Sequence, residues 1–133
     1  VHVGQDVSIE ELRARYHVLL LCYGADTDRT LGIPGETLRG SHAATEFVAW
    51  YNGNPDYAAA QFDLTQGEVA VVGIGNVAMD VARILAKPTT VLAGTDLADH
   101  ALQALAASQV HTIHLVARRG PVQRARSRPG QLR

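Results

Sequence analysis

The spacing of apolar positions changes along the chain, and each change marks an element. Ser8, with Glu11 three residues on, has the form of a capping box and opens a short helix to about Tyr16. His17 to Tyr23 is a continuous apolar run closed by Gly24-Ala25, the pattern of a buried parallel strand. Asp26 to Gly40 is a loop with Ile33-Pro34-Gly35-Glu36 as its turn. Ser41 is placed to cap a helix to Tyr51 or Asn52, which Gly53 stops. A connection over 53–67 leads to a strand at 69–73. Met79, Val81, Ala82, Ile84 and Leu85 then recur at helical spacing in a helix from Asn76 to near Ala86, ended by Pro88. Thr95 or Asp96 opens a further helix with Leu97, Ala98, Ala101, Leu102 and Leu105 as its stripe, and Thr112 to Ala117 is a further strand. Arg124 to Arg133 has little apolar content and reads as disordered or incomplete. There is no internal repeat.

Composition narrows the class. The 133 residues, 47% hydrophobic and 19% charged, fit one ordinary globular domain. No apolar run approaches the roughly 18 residues of a membrane span. The start, Val1-His2-Val3, has no signal-peptide layout and reads as the interior of a larger protein. Cys22 is the only cysteine, which excludes an internal disulfide, and in its apolar run it reads as a buried inert thiol. Six histidines show no metal-ligand pairing; His111 and His114, three apart at a strand, fall on opposite faces. No metal site is expected.

Charge is asymmetric. Residues 1–117 hold all 13 acids and six of the 12 bases, a net −7; residues 118–133 hold six arginines, a net +6. A basic tail can attract nucleic acid or a membrane surface. This one has no interleaved aromatics for base stacking, which places nucleic acid last among the readings.

The chemistry lies where the predicted strand at 69–73, first of a strand–helix–strand unit that ends with 112–117, becomes a helix. Gly73-Ile74-Gly75-Asn76-Val77-Ala78 is a Gly-x-Gly-x-x-Ala loop with Val69 to Val72 before it. Gly73 permits a tight turn, Gly75 lets phosphates approach the backbone, and Ala78 lets helix and sheet pack closely. The helix N-terminus then presents N–H groups to a pyrophosphate. The competing reading is a merely structural strand-to-helix turn. Arg118 and Arg119 follow the second strand, where a carboxylate would accept from the ribose of NAD and arginines favour the 2′-phosphate of NADP. No Asp or Glu occurs after Asp99, and Arg118 lies 40 residues beyond Ala78, so the helix near 96–108 is an insertion in the crossover. Two charge-assisted hydrogen bonds, at roughly 1.5–3 kcal/mol each, would favour NADPH over NADH by a few orders of magnitude. The alternative is a solvated basic corner.

These residues together resemble the adrenodoxin reductase type of ferredoxin–NADP⁺ reductase, from Val3 to Gln123. The resemblance rests on Val3-Gly4-Gln5-Asp6-Val7, Tyr23-Gly24-Ala25, Ile33-Pro34-Gly35-Glu36, Phe47-Val48-Ala49-Trp50-Tyr51-Asn52-Gly53, Gly75 to Leu85, and Arg118-Arg119-Gly120-Pro121. The family fold it implies is α/β, two Rossmann-like dinucleotide-binding domains, one for FAD and one for NADP. Residues 1–40 would then be the end of the FAD domain and the inter-domain connection, 41–123 an incomplete NADP domain, and 124–133 a divergent basic tail. The implied activity passes hydride from NADPH to FAD and single electrons to a [2Fe–2S] ferredoxin or adrenodoxin. The resemblance implies that Ile74, Gly75, Asn76 and Val77, beside the turn at Gly73, grip the NADP pyrophosphate and that Arg118 and Arg119 hold the 2′-phosphate. It also implies that the backbone of Val3 contacts the FAD adenine. No catalytic side chain is assigned.

The chain departs from the family pattern in lacking the FAD glycine fingerprint and in its ending, where Gln131 stands near the place of a family Glu. Two other readings stay open. One is a flavoprotein like the small subunit of glutamate synthase, which shares an Asn-x-Ala-Met-Asp run like Asn76 to Asp80. The other is a non-catalytic truncated product. Tyr23-Gly24-Ala25 and Trp50-Tyr51-Asn52-Gly53 favour the mitochondrial branch, with a bacterial cytoplasm as the alternative.

Overall fold

The computed structural model describes residues 1–22, 24 and 28–118. In chain order the elements are α1 (Ile9–Arg15), α2 (Ala44–Tyr51), a 3-10 turn at Pro55–Tyr57, β1 (Glu68–Val72), α3 (Asn76–Ala86), α4 (Thr89–Leu92), α5 (Asp99–Ala106) and β2 (Thr112–Val116). The two strands are parallel, in register from Glu68 opposite Thr112 to Val72 opposite Val116. Parallel neighbours require a crossover, and α3, α4 and α5 form it. The architecture is α/β, as the strand–helix–strand pattern predicts.

The capping box at α1 forms as expected. The Glu11 N–H donates to Ser8 Oγ at 3.1 Å, and the Ser8 N–H donates to the Glu11 carboxylate at 2.8 Å. Those bonds hold the Glu11 carboxyl below its ordinary range. α2 differs from expectation at its start. Ser41 lies in a turn with its N–H on the Leu38 carbonyl, and the helix begins at Ala44 behind Ala43, which has no capping side chain. Asp28 supplies the missing acceptor from outside: its Oδ2 takes the Thr45 N–H at 3.0 Å and the Thr45 hydroxyl at 2.8 Å. The other end follows prediction. Gly53, at φ +74, donates to the Trp50 carbonyl and Asn54 donates to that of Ala49, a left-handed C-cap that closes the helix.

The core gathers Phe47, Trp50 and Tyr51 of α2 with Val71 of β1, Ala78 and Val81 of α3, and Ala101 of α5. Phe62 meets the Phe47 ring edge-on at 5.0 Å and lies 5.1 Å from the Trp50 ring. His100 Nε2 donates to the Trp50 carbonyl oxygen at 3.0 Å; a carbonyl only accepts, so Nε2 carries the hydrogen. The Ala98 N–H donates to the Tyr51 carbonyl at 2.9 Å, so α5 is tied to the end of α2 at two successive residues. Burial, and then the charge of Asp80, push the Tyr51 phenol above its ordinary value, with Arg83 opposing.

Three expectations are corrected. Thr95 does not open a helix; its N–H and hydroxyl both bond back to the Leu92 carbonyl and close α4, a turn begun directly after Pro88. The next helix starts at Asp99. Second, 17–22 forms no strand, and Val18 and Leu20 are 72% and 79% exposed. A strand exists only in a ladder, and among the described residues the sheet consists of β1 and β2 alone. Apolar content reports that a segment wants burial, not where its partner stands. Third, Cys22 is exposed for the same reason. Tyr23, the predicted end of that strand, lies outside the described residues.

Candidate functional site

The glycine loop sits at the carboxyl edge of β1. Gly73 has φ +135, which L side chains rarely adopt, and a Cβ there would stand 3.3 Å from Ala78 Cβ. The first and last members of the motif therefore explain each other: a small residue at 78 leaves room for a sharp turn at 73. The Gly73 N–H donates to the Val116 carbonyl at 2.8 Å, carrying the ladder one step beyond β1.

Gly75 has a different reason. It is the N-cap of α3 at φ −75 and ψ 175, extended backbone open to any residue. A Cβ built on it meets no protein atom within 4 Å. Among the described residues neither conformation nor packing demands glycine there, and the missing side chain leaves the backbone open to close approach.

The N-terminus of α3 carries the matching electrostatics. The N–H groups of Asn76, Val77 and Ala78 have no acceptor within the helix, Gly75 offers no capping side chain, and the first turn holds no acid. The other helices of comparable length are complemented: Asp28 serves α2, and Asp99 stands in the first turn of α5. The 11-residue α3 leaves its partial positive end for an anion.

Register brings the second half of the site to the same edge. Val72 faces Val116 across the ladder, so Ile74 and Arg118 each leave the sheet two residues further on, on adjacent strands about 4.8 Å apart. This is the crevice outside the carboxyl ends of parallel strands, the usual ligand position in such sheets. Arg118 is exposed there. Arg119 lies outside the described residues. Val3 is not part of this edge: it sits in a turn over 2–7, held by Gly4 N–H to Val7 carbonyl and by Gln5 and Asp6 N–H to His2 carbonyl. Among the described residues the Val3 N–H and carbonyl take part in none of those bonds. Among the described residues no cluster of His, Cys, Asp or Glu is arranged to hold a metal, and no helix is long and apolar enough to cross a membrane.

Sequence reasoning missed Asp28, whose contact spans 17 residues and has no local signal except the absence of a capping residue at Ala43. It also missed the bond from His100 to the Trp50 carbonyl, which spans 50.

No protein-family model matches the chain. It is 56% identical over 126 residues to the mitochondrial NADPH:adrenodoxin oxidoreductase of Arabidopsis thaliana, covering 94% of this chain and 26% of that protein. It is 48% identical over 125 residues to the NADPH-ferredoxin reductase FprA of Mycobacterium tuberculosis, covering 94% and 27%. The solved structure of Mycobacterium tuberculosis FprA in complex with NADPH matches with a TM-score of 0.81 at 48% identity, covering 94% of this chain and 28% of that one. The chain thus spans about a quarter of the length of the relatives it matches.

Proposed function

We propose, on the premise that the chain is a partial sequence of the adrenodoxin reductase and FprA type, that it supplies the NADP-binding part of a flavoprotein reductase. That protein takes electrons from NADPH and delivers them to a [2Fe–2S] ferredoxin or adrenodoxin. The observation that carries the nucleotide assignment is the convergence at one sheet edge of an uncapped α3, a Gly75 whose Cβ direction is open, and Arg118.

In this reading Gly73 sets the turn, and the backbone of Ile74, Gly75, Asn76 and Val77 receives the pyrophosphate at the positive end of α3. Arg118 and Arg119 hold the 2′-phosphate through charge-assisted hydrogen bonds, which NAD cannot offer. The nucleotide is bound and oriented here; no side chain of this site moves a proton. Val3, in the 2–7 turn, contacts the adenine of FAD, and residues 1–40 belong to the flavin side of the protein while 41–123 form the nucleotide side. A flavin, when bound, takes up hydride from NADPH and releases the two electrons singly. The compartment proposed is the mitochondrion, on 56% identity to a mitochondrial relative against 48% to a bacterial one. A bacterial cytoplasm is the alternative, and the location of the tagged protein in its own cells decides between them.

Thermal unfolding with NADP⁺ or NAD⁺ tests the nucleotide reading. A ligand at about 100 times its dissociation constant adds about 2.7 kcal/mol to the stability of the folded state. Stabilisation by NADP⁺ and not by NAD⁺ is expected; equal response to both would remove the arginines from the argument. The electron-transfer reading fails if the FAD-loaded protein carrying this chain reduces no ferredoxin with NADPH.

A further inference from the structure

Between the 2–22 region and the nucleotide unit runs a stretch, 28–43, with no helix or strand. Most of its hydrogen bonds are local. The Glu36 carboxylate receives the Leu31 and Gly32 N–H groups at 2.6 and 2.8 Å, and turns close at Ile33, Gly35 and Leu38. Among the described residues, one pair ties this stretch by hydrogen bonds to a residue more than five positions away: Asp28 and Thr45. Both donors of Thr45 converge on one oxygen of Asp28.

The bond falls at a place of leverage. α2 has no cap of its own, so Asp28 both satisfies an N–H of its first turn and sets a negative charge at its positive end. α2 in turn packs Phe47, Trp50 and Tyr51 into the core with α3 and α5. The chain at Asp28 is thereby fastened to the first turn of α2, and through α2 to the core it shares with α3 and α5. Asp28 makes its hydrogen bonds with Thr45 and none with 73–78 or Arg118 among the described residues.

We infer that Asp28 is a positioning residue: it latches the connection onto α2 and so favours the mutual placement of flavin side and nucleotide side from which hydride transfers. The inference rests on the function proposed above, since hydride transfer needs the reacting atoms held about 3–3.5 Å apart. Asp28→Ala removes the acceptor, whereas Asp28→Asn keeps an amide oxygen that serves equally as a cap.

The test uses the FAD-loaded protein carrying this chain, with two readouts. In Asp28→Ala, flavin reduction at saturating NADPH slows about fivefold, the size of one lost cap, while NADP⁺ affinity stays within about twofold. Amide exchange at Thr45 and across 29–43 accelerates about tenfold as local opening becomes easier. Asp28→Asn behaves as the unsubstituted protein on both counts. Unchanged exchange in Asp28→Ala overturns the latch. So does accelerated exchange with an unchanged rate, or an Asp28→Asn protein as slow as Asp28→Ala. Should Asp28→Ala not fold, Thr45→Val removes the hydroxyl donor alone, and protection unchanged there overturns the inference equally. If NADPH fails to reduce the flavin of the unsubstituted protein, the proposed function falls, and exchange in the two Asp28 variants still decides whether the latch exists.

Discussion

Substituting the two glycines of the loop separates folding from binding within three residues. Gly73→Ala places a side chain at φ +135, a region that costs on the order of 1–3 kcal/mol, and sets its Cβ 3.3 Å from that of Ala78. Both atoms belong to short, inflexible groups, so strain and crowding add. A loss of about 2–3 kcal/mol is expected, which lowers the melting temperature of a domain this size by about 7–11 °C. Gly75→Ala meets neither obstacle, since its backbone is extended and its Cβ faces no protein atom within 4 Å. Its stability stays within about 0.5 kcal/mol of the unsubstituted protein. In the proposed site its methyl group stands in the path of the phosphate. Loss of a single N–H bond to that charged group, about 1.5–3 kcal/mol, weakens NADP⁺ binding by about 10- to 150-fold. Urea unfolding measures the first effect, and calorimetric titration with NADP⁺ the second. A Gly75→Ala protein that binds NADP⁺ as tightly as the unsubstituted one would refute the phosphate argument. A Gly73→Ala protein of undiminished stability would refute the steric one.

Arg118→Ala lowers NADP⁺ affinity by about tenfold or more, one charge-assisted contact, and leaves NAD⁺ affinity nearly unchanged; parallel titrations with both nucleotides check it. His100→Ala removes the bond to the Trp50 carbonyl and the ring contact at 5.5 Å, at a cost of about 1–2 kcal/mol. Urea unfolding followed by fluorescence of Trp50, the single tryptophan, reads that loss directly. Acid loosens the 31–36 turn. The Leu31 and Gly32 N–H groups hold the Glu36 carboxyl below its ordinary value of 4.5, so the folded turn takes up a proton less readily than the unfolded chain. Its contribution is whole above pH 4.5 and is lost as pH falls through the depressed value. Amide exchange at Leu31 and Gly32, corrected for intrinsic rates, should lose protection below that point and not above it.

Local signals were read well where the partner of each group is close in the chain. The capping box at Ser8, the Gly53 stop, the helix Asn76–Ala86 and the glycine turn all depend on groups within five residues of each other. The errors occur where the deciding partner is distant. Ser41 looks like a cap, yet Asp28 holds that end of α2. Thr95 looks like a helix start, yet Leu92 presents the nearer carbonyl. The 17–22 run is apolar enough for a strand and has no ladder to join. In the candidate site, Gly73 and Ala78 were readable because their mutual steric reason, a Cβ at 73 standing 3.3 Å from that of Ala78, is local in the chain. The closeness of Arg118 to the glycine loop follows only from the register of β1 on β2.

That register also dictates an order of events during synthesis. Glu68 pairs with Thr112, 44 positions later, so the edge of β1 waits for the whole crossover to be translated. At about 5–20 residues per second the wait is roughly 2–9 s. For that time a five-residue strand, Glu-Val-Ala-Val-Val, carries an unsatisfied backbone edge and one charge. Glu68 places a charge at the head of that edge, of the kind that disfavours edge-to-edge joining. Its carboxylate lies 2.9 Å from His114 Nε2, so when β2 arrives the same charge gains a cross-strand partner.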